Sequence, residues 1–302
     1  MRNDEAIFPF RITDVCQRKR KDYLIFFFAM TTLAPTKRLV INCDDFGWDA
    51  PATQAILELS AAGQVSSTTV MANFASAAEL RELAQLASPT LSVGLHLTLN
   101  AGQPLSAASQ VPSLVNADGQ FYSSSQLWQR FLQGKVRRTE LRLEVAAQLR
   151  HLAAAGLDLT HADSHQHLHQ YPLLGPALLK ILAELGVQRV RRLTAAGRLD
   201  GRGLVLQAFA KASQGALGPF RTPAALISTF STEPASAAAF RRGVVAAFRP
   251  RVQVAEFMSH PGLSERAGSP LMRVPEYTFW RSGEAADLLR ELGVELISYA
   301  TV

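Results

Sequence analysis

Cysteine is nearly absent from this 302-residue chain: Cys16 and Cys43 are too few for a disulfide framework or a cysteine-built metal site. A reduced, cytoplasmic setting is the default expectation. Long hydrophobic runs are also missing, and the apolar stretch 23–29 falls far short of the roughly 20 residues that span a bilayer. Stable membrane insertion is not expected. Charge of one sign is scarce as well: 31 basic residues stand against 25 acidic ones, a net of +6 that would hardly hold a polyanion. Nucleic acid is therefore not an expected partner. With 48% hydrophobic and 19% charged residues, 19 Gly and 15 Pro, the composition excludes disorder and collagen-like order. No repeat, low-complexity tract or linker divides the chain, and its length suits one large domain.

Residues 1–29 differ in composition and periodicity from the rest of the chain. Arg18-Lys19-Arg20-Lys21 precedes the apolar stretch in the manner of a signal peptide, yet it lies too far from the terminus and no small-x-small cleavage site comes after it. Residues 1–36 are read as an extension, disordered or produced by a mis-annotated start, with translation beginning at Met30. The folded domain is then 37–302.

From Arg38 onward, short β-rich runs alternate with amphipathic stretches. Strands are expected over 39–43, 68–71, 91–97, 159–162, 187–193, 226–229, 252–258 and 294–299. Helices are expected over 51–62, 76–87, 137–155, 172–185, 235–247 and 283–292. About eight strands alternating with helices imply parallel βαβ units, hence an α/β fold, and the strand count favours a (β/α) barrel. The interval 100–123 is too long for an ordinary connection and reads as a functional excursion.

The chemistry-bearing residues lie where strands end, the edge at which α/β folds bind ligands. Asp44-Asp45-Phe46-Gly47 comes after the first strand, and two adjacent carboxylates there repel unless a cation or a shared proton relieves them. Taken alone, the pair also suits a helix cap beside a solvated carboxylate. His96 lies in Val93-Gly94-Leu95-His96-Leu97, where a lone imidazole equally suits a hydrogen-bonded core position. The fourth strand leads into His161-Ala162-Asp163-Ser164-His165-Gln166-His167-Leu168-His169, which holds four of the seven histidines and points to a metal site. In an extended segment His165, His167 and His169 share a face; in a helix His165 and His169 do. Finally, in Glu256-Phe257-Met258-Ser259-His260-Pro261-Gly262 an apolar run delivers a remote histidine to the end of a late strand.

These four motifs, in this order, resemble the YdjC-like (ChbG and HpnK) carbohydrate deacetylases. The resemblance runs from about Lys37 to the C-terminus and includes Val65-Ser66-Ser67-Thr68-Thr69 and the loop 111–119. It implies a distorted (β/α) barrel, single-domain, and metal-dependent removal of N-acetyl groups from amino sugars such as chito-oligosaccharides. By the same resemblance, Asp45, His96 and His165 match the metal ligands, Asp44 the catalytic base and His260 the acid. His167, His169 and Arg192 are candidates for binding the sugar. Ala117-Asp118-Gly119 and Val190-Arg191-Arg192 lean toward the hopanoid-associated branch, so the amino sugar is either free or lipid-linked.

One carboxylate and two imidazoles would leave open positions on a divalent ion, as catalysis requires. The donor set suits zinc and tolerates magnesium. The expected partner is an acetylated amino sugar, and a homodimer is compatible with the chain. Two other readings are a metal phosphoesterase, for which Arg189, Arg191 and Arg192 are eligible phosphate clamps, and a non-catalytic metal or sugar binder.

Overall fold

The run Leu-Val-Ile-Asn-Cys at 39–43 forms the middle of a ten-residue strand, β1 (Lys37–Phe46), buried from residue 39 to its end. A strand covered on both faces in a parallel sheet reads as such a continuous apolar run. The structure, a computed structural model, describes residues 37–192, 194 and 201–302. The expectations for residues 1–36, and Leu193 at the end of one expected strand, lie outside the described residues.

After β1 the order is α1 (Ala50–Ala61), β2 (Ser67–Val70), α2 (Ala77–Leu86), β3 (Ser92–Leu97), α3 (Ser124–Leu132), α4 (Arg138–Ala154), β4 (Leu159–Ser164), α5 (Leu174–Glu184) and α6 (Gly201–Ser213). Next come β5 (Ala225–Ile227), α7 (Ala237–Ala247), β6 (Val254–Ser259), α8 (Arg273–Ser282), α9 (Glu284–Glu291) and β7 (Val294–Leu296). Local chemistry sets several starts. Asp49 caps α1 by accepting from Ala52 N at 2.9 Å, and Ser76 with Glu79 forms a capping box on α2. Helices α3, α6 and α8 were not expected from the sequence. In α8, Pro275 looks like a breaker but sits in the first turn, where its missing N–H costs no helical bond.

The strands pair in parallel in the order β4-β3-β2-β1-β6-β5, with β7 beside the first residues of β1. Between β4 and β5 the wall is irregular. Ala162 N donates to Arg189 O at 3.0 Å, Arg191 N to Ala162 O at 3.1 Å, and Val190 N to Arg221 O at 3.2 Å. Leu226 N then donates to Thr194 O at 2.8 Å. The expected strand around 187–193 is thus present as isolated bridges that join β4 to the approach to β5. The result is an α/β fold whose parallel sheet curves into a distorted barrel, helices outside, as expected from the strand count.

The excursion 100–123 is held down by α4. Buried Glu144 accepts from Leu105 N (3.0 Å) and Ser106 N (2.9 Å), and buried Glu140 accepts from Ser113 N at 2.7 Å. These carboxylates satisfy backbone donors that a loop of this length would otherwise leave unpaired.

At the foot of the barrel, His161 stacks on Tyr299 with centroids 3.8 Å apart. Gly94 is required beside it, because a Cβ there would approach the imidazole to 2.6 Å. Burial, helped by Arg191 and Arg189 against the opposing pull of Asp163, lowers the His161 pKa to about 3. The unfolded chain, titrating near 6.5, therefore binds a proton that the folded one refuses. Its contribution to stability is present above that value and is lost as pH falls toward 3. Denaturant titrations across this window should show a pH dependence that is shallower in His161→Asn; equal slopes in both proteins would contradict the assignment.

Among the described residues, no helix is long and apolar enough to cross a membrane.

Candidate active site

The strand ends meet at one rim. Asp44 and Asp45 close β1, His96 lies near the end of β3, Asp163 and His165 flank the end of β4, and His260 comes directly after β6. The two aspartates are almost fully buried, so their repulsion cannot be relieved by water. Each is relieved by its own arginine. Arg191 grips Asp44 with both terminal nitrogens, at 2.5 Å to Oδ2 and 2.6 Å to Oδ1. Arg273 Nη2 donates to Asp45 Oδ2 at 2.6 Å. Asp45 itself has φ 68°, a left-handed conformation that a non-glycine residue adopts only when its surroundings impose it.

Asp45 Oδ1 lies 3.3 Å from His96 Nε2 and 3.3 Å from His165 Nδ1. The far nitrogen of His96 is 2.7 Å from Asp163 Oδ1. Although burial pulls the imidazole down, Asp163, Asp45 and Asp44 together push its pKa up to about 10. Asp45 is held well below the usual carboxylate range, where His165 and His96 overcome the upward push of burial. Trp48 braces His165 edge-on, with ring centroids 4.4 Å apart.

These residues fit a divalent ion. One donor atom each from Asp45, His96 and His165 lies within 4.8 Å of the others. His96 Nε2 is buried with no hydrogen-bond partner, an orphan that needs a proton acceptor or a metal. Asp163 behind His96 supplies the carboxylate–imidazole support that metal-binding histidines generally have. A second grouping of Asp44, His96 and Asp163 is also compact. Arg191 donates to both of its carboxylates, which makes that pocket unfavourable for another cation.

The histidine-rich segment resolves into different fates. Gln166 and His167 turn at φ 52° and 60°, so the segment is neither extended nor a regular helix. His165 faces Asp45, whereas His169 is turned away, with Nδ1 2.5 Å from Ser164 Oγ and Nε2 3.1 Å from Arg191 O. His167 is half-buried, and its Nδ1 has no partner among the described residues. Arg192 is half-buried at the end of the irregular wall.

His260 Nε2 stands 3.7 Å from Asp44 Oδ2. Burial lowers its pKa to about 4 despite the nearby carboxylates. Its backbone N–H donates to Glu276 Oε2 at 2.7 Å, and Ser259 Oγ donates to the same oxygen at 2.6 Å. Burial raises Glu276 to about 7 even so.

Four supporting residues are not evident from the sequence. Asp163 and Glu256 are visible there only as parts of motifs, and Arg273 and Glu276 carry no local signal. Arg191 is eligible as a phosphate clamp by sequence, but the fold gives it another task. Fully buried, it also reaches Asp163 Oδ2 at 2.8 Å and Glu256 Oε1 at 2.6 Å, while Tyr299 donates to the other oxygen of Glu256 at 2.6 Å. Arg189 is likewise committed, donating to Ala300 O at 2.8 Å and Val302 O at 3.2 Å.

Known proteins share this chain's pattern. The carbohydrate deacetylase of Brevibacillus brevis is 39% identical over 150 residues, covering 50% of this chain and 57% of that protein. The carbohydrate deacetylase of Enterococcus faecalis is 28% identical over 275 residues, covering 88% and 98%. A chitooligosaccharide deacetylase of Yersinia enterocolitica is 38% identical over 143 residues, 47% of this chain and 54% of that one. The chain thus spans little more than half the length of several curated relatives it matches. A solved structure from Enterococcus faecalis, described as a cellobiose-phosphate cleavage protein, superposes with a TM-score of 0.71 at 26% identity, covering 88% of this chain and 98% of that one. The model of the YdjC-like protein family matches residues 38–291, from the first strand through the last helix, and the chain belongs to that family.

Proposed function

We propose that this protein is a metal-dependent hydrolase that removes N-acetyl groups from amino sugars. The observation that carries the reading is the placement of Asp44 and His260, 3.7 Å apart, beside the cluster of Asp45, His96 and His165. The activities for which the relatives are named, carbohydrate and chitooligosaccharide deacetylation, agree with it. Asp45, His96 and His165 would hold one divalent ion, zinc in preference to magnesium on account of the two imidazoles, and when bound it would polarise the acetamide carbonyl as a Lewis acid.

The remaining chemistry belongs to the chain. Asp44 accepts two bonds from Arg191 and one from Asn42 Nδ2 at 2.8 Å, which orient the carboxylate and leave acceptor capacity on the side of His260. From there it takes the proton of the attacking water. Amide cleavage also needs a proton on the leaving nitrogen. His260, neutral at rest because burial lowers its pKa to about 4, takes over the proton that Asp44 has removed from water and passes it to that nitrogen. Acetic acid and a free amine result and leave as acetate and ammonium. A phosphoesterase reading loses two of its three candidate clamps, because Arg191 is turned toward carboxylates and Arg189 toward the C-terminal carbonyls, and Arg192 alone would remain. A mere binder would have no use for an oriented base facing an imidazole. His167 and Arg192, both half-buried, stay with the proposed sugar-binding role, whereas His169, fully buried with both ring nitrogens engaged by Ser164 and Arg191, is withdrawn from it. A cytoplasmic location is part of the same reading.

Mass spectrometry on N-acetylglucosamine oligomers and on lipid-linked N-acetylglucosamine should show loss of one acetyl group, with no turnover of an aryl phosphate. Phosphate release without deacetylation would overturn the proposal. Asp44→Asn should keep its metal while turnover falls by about 10²–10⁴. His260→Ala should also keep it, with a smaller defect on acetate esters than on amides, since an alkoxide leaves without the protonation an amine needs. Parallel loss of metal and both activities would instead make His260 a ligand.

A further inference from the structure

We propose that Arg273 is a positioning residue that makes Asp45 offer the ion a single oxygen. The proposal rests on the reading that Asp45, His96 and His165 hold that ion.

Arg273 is the first residue of α8, where the helix dipole disfavours a cation. It is nonetheless 1% exposed, and its Nε and Nη1 are buried without partners among the described residues. A buried cation with two idle donors at the wrong end of a helix does not recommend itself for stability. The one carboxylate that pairs with its guanidinium among the described residues is Asp45, through Oδ2.

The backbone around it is firmly held. Glu265 accepts from Arg273 N at 3.0 Å and from Val274 N at 3.1 Å, and Gly262 N donates to Arg273 O at 3.1 Å. Gly262 belongs to the turn after His260, and a Cβ there would come within 3.1 Å of Arg273 Cβ. The guanidinium also lies 5.6 Å from the ring centroid of Trp48, the residue that braces His165.

The two oxygens of Asp45 thus have separate tasks. Oδ2 is engaged by Arg273, and Oδ1 faces His96 and His165. A carboxylate can chelate with both oxygens, which would fill a position that water or substrate needs. With Oδ2 engaged, Oδ1 alone remains for the ion. Losing Arg273 frees the carboxylate to rotate and leaves its charge buried beside His96 without the guanidinium.

The test is zinc alone, titrated by calorimetry into the metal-stripped full chain carrying Arg273→Met or Arg273→Lys. The methionine variant should bind zinc about 10–100-fold more weakly, the usual scale for losing a supporting partner. The lysine variant should fall between it and wild type, because one charged donor returns without the planar fork. Thermal melts in chelator verify folding, and if the methionine variant fails to fold, the lysine variant decides. Wild-type zinc affinity in either variant, or equal loss in both, overturns the positioning role. Absence of zinc binding by the wild-type chain would instead remove the metal reading on which this one rests.

Discussion

Asp45→Ala, His96→Ala and His165→Ala are each expected to lose bound zinc and amide hydrolysis together. The three donors converge on one point, and three protein ligands are what a catalytic site has before water and substrate complete its shell. Removing any one leaves two, too few to retain the ion against a chelator. The His96 pKa of about 10 adds a second readout. Without metal this imidazole is protonated near neutrality, so zinc must displace about one proton there. The calorimetric heat should therefore vary with the ionisation enthalpy of the buffer, and that variation should shrink in His96→Ala. Stoichiometric zinc in His165→Ala, with loss in His167→Ala, would move the ligand along the loop.

Arg191→Met should be the most destabilising single change at the site. One guanidinium with no exposed surface serves Asp44, Asp163 and Glu256. Removing it strands these buried carboxylates, and breaking a buried pair in this way costs about 3–5 kcal/mol, or roughly 6–20 °C of melting temperature in a domain of this size. Turnover should fall about 10²-fold or more, because Asp44 loses its orientation and Asp163 loses a support for His96. Arg191→Lys should recover part of the stability and little of the turnover, since an ammonium cannot grip a carboxylate with two parallel bonds. A melting temperature close to wild type in Arg191→Met would show that the network contributes little to folding.

Much of this was legible in the sequence because it is local. The strand at 39–43 is encoded by a β-rich apolar run, α2 by Leu80, Leu83 and Leu86 at helical spacing, and the site's edge by carboxylates and histidines placed where such runs stop. Those signals need only a few neighbouring residues, and the barrel results once strands and helices alternate often enough. The tertiary structure alone decided which histidine of the loop faces Asp45. Left-handed turns at Gln166 and His167 break both periodicities from which a shared face would be inferred. It alone also decided how two adjacent aspartates coexist in a dry site. Arg191 reaches Asp44 across 147 residues and Arg273 reaches Asp45 across 228. Nothing in the neighbourhood of either arginine encodes its partner. The pairing exists because the curved parallel sheet brings the C-terminal ends of β1, β3, β4 and β6 to one rim, and there the cost of an unpaired buried charge selects which side chains must meet.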